Sequence, residues 1–373
     1  MEKLKVMTVF GTRPEGIKMA PIIKELEKRD NIESVTCITA QHREMLDQVL
    51  NIFDIKPDYD LNIFQPGQSL TKITTRALEG LEEVIIKEKP DVLLVQGDTT
   101  TVFSGALAAF YQGVKVGHVE AGLRSGNIHS PYPEEANRML TGILTDYHFA
   151  PTIRNKDNLT QENYPEDKIY ITGNTVIDAL QYVIKEGYTF ENNLLNELDY
   201  KNKRIILMTS HRRENIGRPM ENIFTAVNDI VNKYDDVEVI FPVHLNPKVR
   251  DIANSILGKN PRIHLIDPLD YQPFTNLENK VHLVVTDSGG LQEEAPTLGK
   301  PVLVVREETE RPEGIEAGTA KLVGTEYDNI YNNLDLLLSN KEEYEKMAKA
   351  VNPYGDGQAA KRIVDIIVKD IEV

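Results

Sequence analysis

The residues able to do chemistry in this chain stand directly after its short apolar runs. Gly11-Thr12-Arg13-Pro14-Glu15-Gly16-Ile17-Lys18 follows the run Val6 to Phe10, and Gly97-Asp98-Thr99-Thr100-Thr101 follows Val92 to Gln96. His118-Val119-Glu120-Ala121-Gly122-Leu123-Arg124 closes the run that starts at Val114, and Glu134-Glu135 opens a helix after Ser130-Pro131-Tyr132-Pro133. Three acids gathered in one place, Asp98, Glu120 and Glu134, would repel one another. Repulsion with burial raises at least one pKa and divides such a set into proton donor and proton acceptor. The plainer alternative for Glu134 and Glu135 is that they complement a helix dipole. Whether the three acids converge is a matter for the tertiary structure.

The second half repeats the arrangement with cations and glycines. Ser210-His211-Arg212-Arg213-Glu214-Asn215 follows Ile205 to Thr209, His244 follows Val237 to Val243, and Asp287-Ser288-Gly289-Gly290-Leu291-Gln292-Glu293-Glu294 follows Val281 to Thr286. Ser-Gly-Gly between a strand and a short helix lets bare backbone N–H groups and the positive helix end meet a phosphate. A carboxylate one turn further on is placed to accept two ribose hydroxyls, although Glu293 and Glu294 would also serve as ordinary dipole complements. His211, as a cation among Arg212 and Arg213, could neutralise a diphosphate; its structural alternative is a hinge residue. The Gly11 string is neither a dinucleotide fingerprint nor a Walker loop, since Ile17 occupies the Walker lysine position. Hence neither a nicotinamide nor an ATP-hydrolysis motif is found, and no cofactor is expected.

The eight histidines show no HExxH or His/Cys spacing, which disfavours a metal. His148, His264 and His282 lie in or beside strand runs and read as packed. Cys37, the one cysteine, sits in Val35-Thr36-Cys37-Ile38 and reads as a small buried hydrophobe, so a disulfide framework is excluded.

Apolar runs separated by amphipathic stretches must hold these groups in place. Strands are expected at Val6 to Phe10, Val35 to Thr39, Val92 to Gln96, Val114 to Val119, Tyr147 to Ala150 and Ile169 to Thr172. Helices fall between them at Ile17 to Lys28, Arg43 to Phe53, Lys72 to Glu88 and Thr100 to Tyr111. The pattern restarts with strands at Ile205 to Thr209, Val237 to Val243, Ile263 to Ile266, Val281 to Thr286 and Pro301 to Val305, and helices at Met220 to Tyr234 and Pro247 to Leu257. Strands apolar on both faces and alternating with helices imply parallel sheets covered on both sides. The rhythm lapses in Tyr188 to Lys203, giving a first domain over 1–170 and a second over 171–355. The tail from Gly357 to Val373 carries an apolar stripe of Ala360, Ile363, Ile366 and Ile367 that must pack on something.

A length of 373 residues agrees with two domains. A net charge of -16 argues against coating a nucleic acid or an anionic membrane, though not against one phosphorylated small molecule. The beginning runs straight into a strand without an h-region and no apolar stretch reaches 18 residues, so a soluble, cytoplasmic protein is expected.

Taken in order, these strings resemble the non-hydrolysing UDP-N-acetylglucosamine 2-epimerases of bacteria. Further strings that carry the resemblance are Thr39-Ala40-Gln41-His42-Arg43-Glu44, Thr309-Glu310-Arg311-Pro312-Glu313 and Asn352-Pro353-Tyr354-Gly355-Asp356-Gly357. The resemblance implies the glycosyltransferase-B architecture: two Rossmann-like doubly wound domains facing a cleft, the second holding UDP, the C-terminal helix (357–373) completing the first. It implies interconversion of UDP-N-acetylglucosamine and UDP-N-acetylmannosamine without NAD or metal, a homodimer, and supply of cell-envelope polysaccharide synthesis. By position, Asp98, Glu120 and Glu134 take the acid/base and cation-stabilising roles and His211 supports the departing diphosphate. Arg13 and Lys18 would hold the nucleotide sugar, Ser288, Gly289 and Gly290 the phosphate, Glu294 the ribose, and Arg311 the substrate side. The Asp267 to Phe274 segment would take the uracil, Leu269 through its backbone and Phe274 by packing. A second, activating UDP-N-acetylglucosamine would meet Gln41, His42, Gln68, Arg212 and His244; Glu44 and Gly16 depart from residues common in the family. Competing readings are a hydrolysing epimerase that releases N-acetylmannosamine and UDP, a glycosyltransferase of the same architecture, and a nucleotide-sugar sensor without turnover. The presence of all three acids argues against the sensor.

Overall fold

The computed structural model describes residues 3–41 and 43–371. It divides into two compact units, one formed by Met1–Tyr182 with Tyr354–Val373 and the other by Val183–Pro353.

In the first unit seven parallel strands are laid in the order β3-β2-β1-β4-β5-β6-β7. They are β1 (Leu4–Phe10), β2 (Ile32–Ile38), β3 (Tyr59–Asp60), β4 (Val92–Gln96), β5 (Lys115–Val119), β6 (Tyr147–Ala150) and β7 (Ile169–Ile171). Val92 to Val95 are fully buried, as befits a central strand covered on both faces. The order reverses between β1 and β4, and the crevice beyond the strand ends at such a reversal is where open α/β sheets bind ligands. The first helix spans Arg13–Glu27, starting four residues before the expected Ile17. Pro14 is compatible with a first helical turn, and the Glu15 carboxylate accepts the Gly11 and Thr12 amides at 2.7 and 2.8 Å. Gly11 has no room for a side chain: a Cβ there would meet Thr39 Oγ1 at 2.0 Å.

The C-terminal helix, Ala359–Ile371, packs on the Arg13–Glu27 helix of this same unit. Ala359, Ala360, Ile363, Val364 and Ile367 are buried, and Arg29 pairs with Asp365 at 2.7 Å. Its first turn is capped from a distance in sequence, because the Asp178 carboxylate accepts the Ala359 and Ala360 amides at 3.2 and 2.9 Å.

The second unit holds six parallel strands in the order β10-β9-β8-β11-β12-β13. They are β8 (Arg204–Thr209), β9 (Val237–Pro242), β10 (Ile263–Ile266), β11 (Leu283–Thr286), β12 (Val302–Val304) and β13 (Ala320–Leu322). Here the order reverses between β8 and β11. A core including Phe224, Phe241, Leu283 and Leu303 fills one side of the sheet, and one including Leu207, Ile240, Val284 and Val302 the other. Parallel pleating sends alternate residues of each strand to opposite layers. Cys37 is buried, and burial pushes its thiol up to about 12, which fits the reading of an inert hydrophobe.

Candidate functional site

In the first unit the polar cluster lies where β1, β4 and β5 end. Glu120 follows β5 and takes the left-handed conformation, φ +65°, unusual for a residue with a side chain. Its carboxylate is held from three sides. Lys18 Nζ lies 2.5 Å from Oε1, Asn174 Nδ2 donates to Oε1 at 3.1 Å, and Gln96 Nε2 donates to Oε2. Asp98, beyond β4, is 26% exposed and receives a hydrogen bond from Arg138 Nη2, while Asn137 Nδ2 donates to its backbone carbonyl at 2.9 Å. Arg138 and Asn137 belong to the helix Glu134–Leu144, so Asp98 is tied to the helix that Glu134 opens.

Glu134 and Glu135 behave differently although adjacent. Glu135 is buried, accepts the Ser125 and Gly126 amides at 3.0 and 3.1 Å, and pairs with Arg138 Nη1 at 2.7 Å. It is a structural residue. Glu134 is partly exposed. Asp98 and Glu120 thus follow neighbouring strands, and the helix that Glu134 opens reaches Asp98 through Arg138 and Asn137. Arg13 opens the Arg13–Glu27 helix, partly exposed, five residues before Lys18. His118 is buried and stays neutral: burial takes it down to about 4, and its Nε2–H donates to the Gly97 carbonyl at 2.6 Å.

In the second unit Asp287 organises the loop after β8. Its Oδ2 accepts from Ser210 Oγ at 3.1 Å, the His211 and Arg212 amides at 2.8 and 2.9 Å, and Asn215 Nδ2 at 3.1 Å. Its Oδ1 lies 3.2 Å from His211 Nδ1. Burial pulls this carboxyl upward, but the bonds from His211 and the two amides outweigh it and hold it below its ordinary value. His211 is exposed and its ring stacks on that of His244, centroids 5.7 Å apart.

Ser288 precedes the helix Gly289–Glu294, and its amide donates to Thr286 Oγ1 at 2.9 Å. A Cβ on Gly289 would touch nothing within 4 Å, and one on Gly290 would lie 3.5 Å from Glu294 Oε1. The Glu294 carboxylate thus overlies a turn whose backbone is open to approach. Glu293 is buried and receives a hydrogen bond from Arg311 Nε. Leu269 and Phe274 are partly buried and pack on the Leu207 side of the core. Among the described residues no group of three or more His, Cys, Asp or Glu is placed to hold a metal ion.

The family profile described as UDP-N-acetylglucosamine 2-epimerase matches residues 24–368. A UDP-N-acetylglucosamine 2-epimerase of Bacillus subtilis is 56% identical over 365 residues, covering 98% of this chain and 95% of that one. The chain belongs to the UDP-N-acetylglucosamine 2-epimerase family. The crystal structure of the Neisseria meningitidis UDP-GlcNAc 2-epimerase bound to UDP-GlcNAc superposes with a TM-score of 0.86 at 52% identity, over 98% of this chain and 100% of that one. A glycosyltransferase of Rickettsia africae shares the fold alone, with a TM-score of 0.65 at 15% identity over 98% of each chain. The two parallel sheets accordingly form the glycosyltransferase-B type fold.

Of the positions expected to meet a second nucleotide sugar, Gln41 accepts from Thr101 Oγ1 at 3.1 Å and Gln68 from Arg76 Nη1 at 3.2 Å, both in the first unit. Arg212 and His244 stand in the second, and His42 lies outside the described residues. Four residues that hold Glu120 and Asp98 escape a sequence reading: Gln96, Asn174, Asn137 and Arg138. Gln96 looks like the last residue of a strand and Asn174 like a loop polar. Arg138 had a signal, since it lies four residues after Glu134 and so on the same helix face.

Proposed function

We propose that the chain interconverts UDP-N-acetylglucosamine and UDP-N-acetylmannosamine without hydrolysing them. As an epimerase of its family it is an isomerase, and a family member described as bound to UDP-GlcNAc supports that nucleotide sugar as its substrate. The observation that carries the reading is the pairing of Asp98 with Arg138 and of Glu120 with Lys18 at the ends of neighbouring strands, with Glu134 on the same helix as Arg138.

The proton on C2 of the sugar is not next to a carbonyl, so direct abstraction to a free carbanion is costly. Elimination avoids it. A carboxylate takes the C2 proton, the C1–O bond breaks with its electron pair going to the β-phosphate, and 2-acetamidoglucal and UDP remain bound. Re-addition of UDP at C1 with protonation of C2 from the opposite face gives the epimer. Asp98, Glu120 and Glu134 act as acid, base and stabilisers of the cationic character at C1. His211 supports the diphosphate, with Asp287 fixing its orientation. Ser288, Gly289 and Gly290 take the phosphates and Glu294 the ribose, while Leu269 and Phe274 border the uracil. Arg13, Lys18 and Arg311 complete the hold on the nucleotide sugar.

The reading extends to supply of cell-envelope polysaccharide synthesis from the cytoplasm and to a homodimer. The absence of any helix long and apolar enough to cross a membrane, among the described residues, agrees with the first. Phe110, Tyr111, Leu140 and Ile143, all exposed, offer an apolar face for a second copy. A second UDP-N-acetylglucosamine acts as activator at Gln41, His42, Gln68, Arg212 and His244.

NMR of the products formed from UDP-N-acetylglucosamine alone tests the reaction. An equilibrium mixture of the two UDP-sugars, with solvent deuterium at C2, is expected. Irreversible release of UDP and free N-acetylmannosamine would replace this reading with the hydrolysing one.

A further inference from the structure

We propose that Arg138 is the positioning residue that aims Asp98 at the reacting sugar, an inference that rests on the acid/base role given to Asp98. The arrangement is a chain of three buried or half-buried groups. Ser125 and Gly126 amides hold Glu135 Oε1, Glu135 Oε2 holds Arg138 Nη1 at 2.7 Å, and Arg138 Nη2 donates to Asp98 Oδ2. Arg138 is 6% exposed, so its guanidinium is fixed by these contacts rather than by solvent. Glu135 takes only one of the five N–H donors of this guanidinium, at Nη1. The second arm goes to a partly exposed acid, and the neighbouring Asn137 spends its amide on the backbone carbonyl of the same residue.

The consequence is directional. Oδ2 of Asp98 is occupied, so Oδ1 is the oxygen left to exchange a proton with substrate, and its direction is set by the planar fork. Because Arg138 and Glu134 stand one turn apart on one helix, the spacing between Asp98 and Glu134 is set by that helix. A lysine is a point charge on a flexible stem and cannot offer Glu135 and Asp98 two separate arms in a fixed geometry. Misplacement of a reacting group by about 1 Å costs on the order of 100-fold in rate.

The test is a cycle of Arg138→Met, Asp98→Asn and the double variant, with kcat, KM and UDP affinity measured for each. Arg138→Met is expected to lose on the order of 100-fold in kcat while KM and UDP affinity stay within about threefold, and Arg138→Lys to recover about tenfold at most. If Arg138 acts through Asp98, the double variant is no slower than Asp98→Asn alone. Losses that multiply, or an Arg138→Met enzyme with ordinary turnover, overturn the proposal. An Asp98→Asn enzyme with ordinary turnover would instead remove the role of Asp98 on which it stands. Should Arg138→Met fail to fold, Arg138→Lys takes its place in the same cycle, and there full wild-type turnover overturns the proposal.

Discussion

Lys18 Nζ stands 2.5 Å from Glu120 Oε1, joining the first helix to the residue just beyond β5 across 102 positions of sequence. Both side chains are largely shielded, 17% and 11% exposed, so each charge depends on the other. Removing one partner of such a pair leaves the other uncompensated, at roughly 3–5 kcal/mol when burial is complete and less here. Lys18→Met is therefore expected to lower kcat/KM on the order of 100-fold while leaving UDP affinity, which the proposed function assigns to the second unit, within about threefold. Steady-state kinetics beside UDP titration calorimetry checks it; a variant with ordinary kinetics would dissociate the pair from the reaction.

The acids themselves make a separate prediction. Glu134→Gln, Glu120→Gln and Asp98→Asn should each reduce turnover by roughly three orders of magnitude without loss of UDP binding. Deuterium incorporation at C2 in heavy water should fall in parallel. Exchange that survives at wild-type rate in any of the three would show that the substituted acid does not handle the C2 proton.

Gly11 and Gly289 should respond in opposite ways to the same substitution. Gly11→Ala drives a methyl into Thr39 Oγ1 at 2.0 Å and should lower the melting temperature visibly. Gly289→Ala meets nothing within 4 Å, so folding should be unaffected. If phosphate lies against that backbone, the same methyl should weaken UDP binding about tenfold or more. Unchanged UDP affinity in Gly289→Ala would move the phosphate elsewhere.

Asp287→Ala strips the loop after β8 of its common acceptor and leaves the Ser210, His211, Arg212 and Asn215 donors without it. A loss of roughly 2–4 kcal/mol in unfolding free energy is expected, together with weaker UDP binding. Asp287→Asn keeps one acceptor oxygen and should be the milder of the two by denaturant titration.

His148 gives the pH dependence a defined sign. Burial takes it down to about 3, its Nδ1 has no partner, and its ring lies 4.8 Å from that of Tyr164. Its ordinary value is about 6.5, so between these values the unfolded chain binds the proton and the folded one does not. The folded state therefore loses stability through this residue as the pH falls below about 6.5. Relative to the parent, His148→Phe should gain about 2 kcal/mol on going from pH 7 to pH 5. The difference between variant and parent isolates His148 from Glu15 and Asp178, which burial pushes the opposite way. Parallel stability curves for variant and parent would show that His148 does not titrate as described.

Much of the fold was legible because parallel strands buried on both faces are written as apolar runs. Val92–Gln96, Tyr147–Ala150 and Ile263–Ile266 match their expected bounds, as do the helices Thr100–Tyr111 and Pro247–Leu257. Tyr59–Asp60 and Ala320–Leu322 were not expected, since strands of two and three residues at sheet edges carry no periodic signal. The helices Thr175–Val183, Tyr327–Ser339 and Lys341–Ala348 also went unplaced. The first of them lies ahead of the weakly patterned Tyr188 to Lys203 segment, and the last buries no residue fully.

The sequence by itself determined which chemistry is present. Polar strings at strand ends are local features, and residue type alone tells that carboxylates, glycines and a histidine stand there. Only the tertiary structure decided how the acids are held. Lys18 meets Glu120, Arg138 meets Asp98 across 40 positions, and Glu135 proves structural where its neighbour Glu134 does not. Such pairings depend on strand order and helix packing, which bring distant residues within hydrogen-bond reach, and that proximity is encoded in the collective burial of the sheets rather than in any short string.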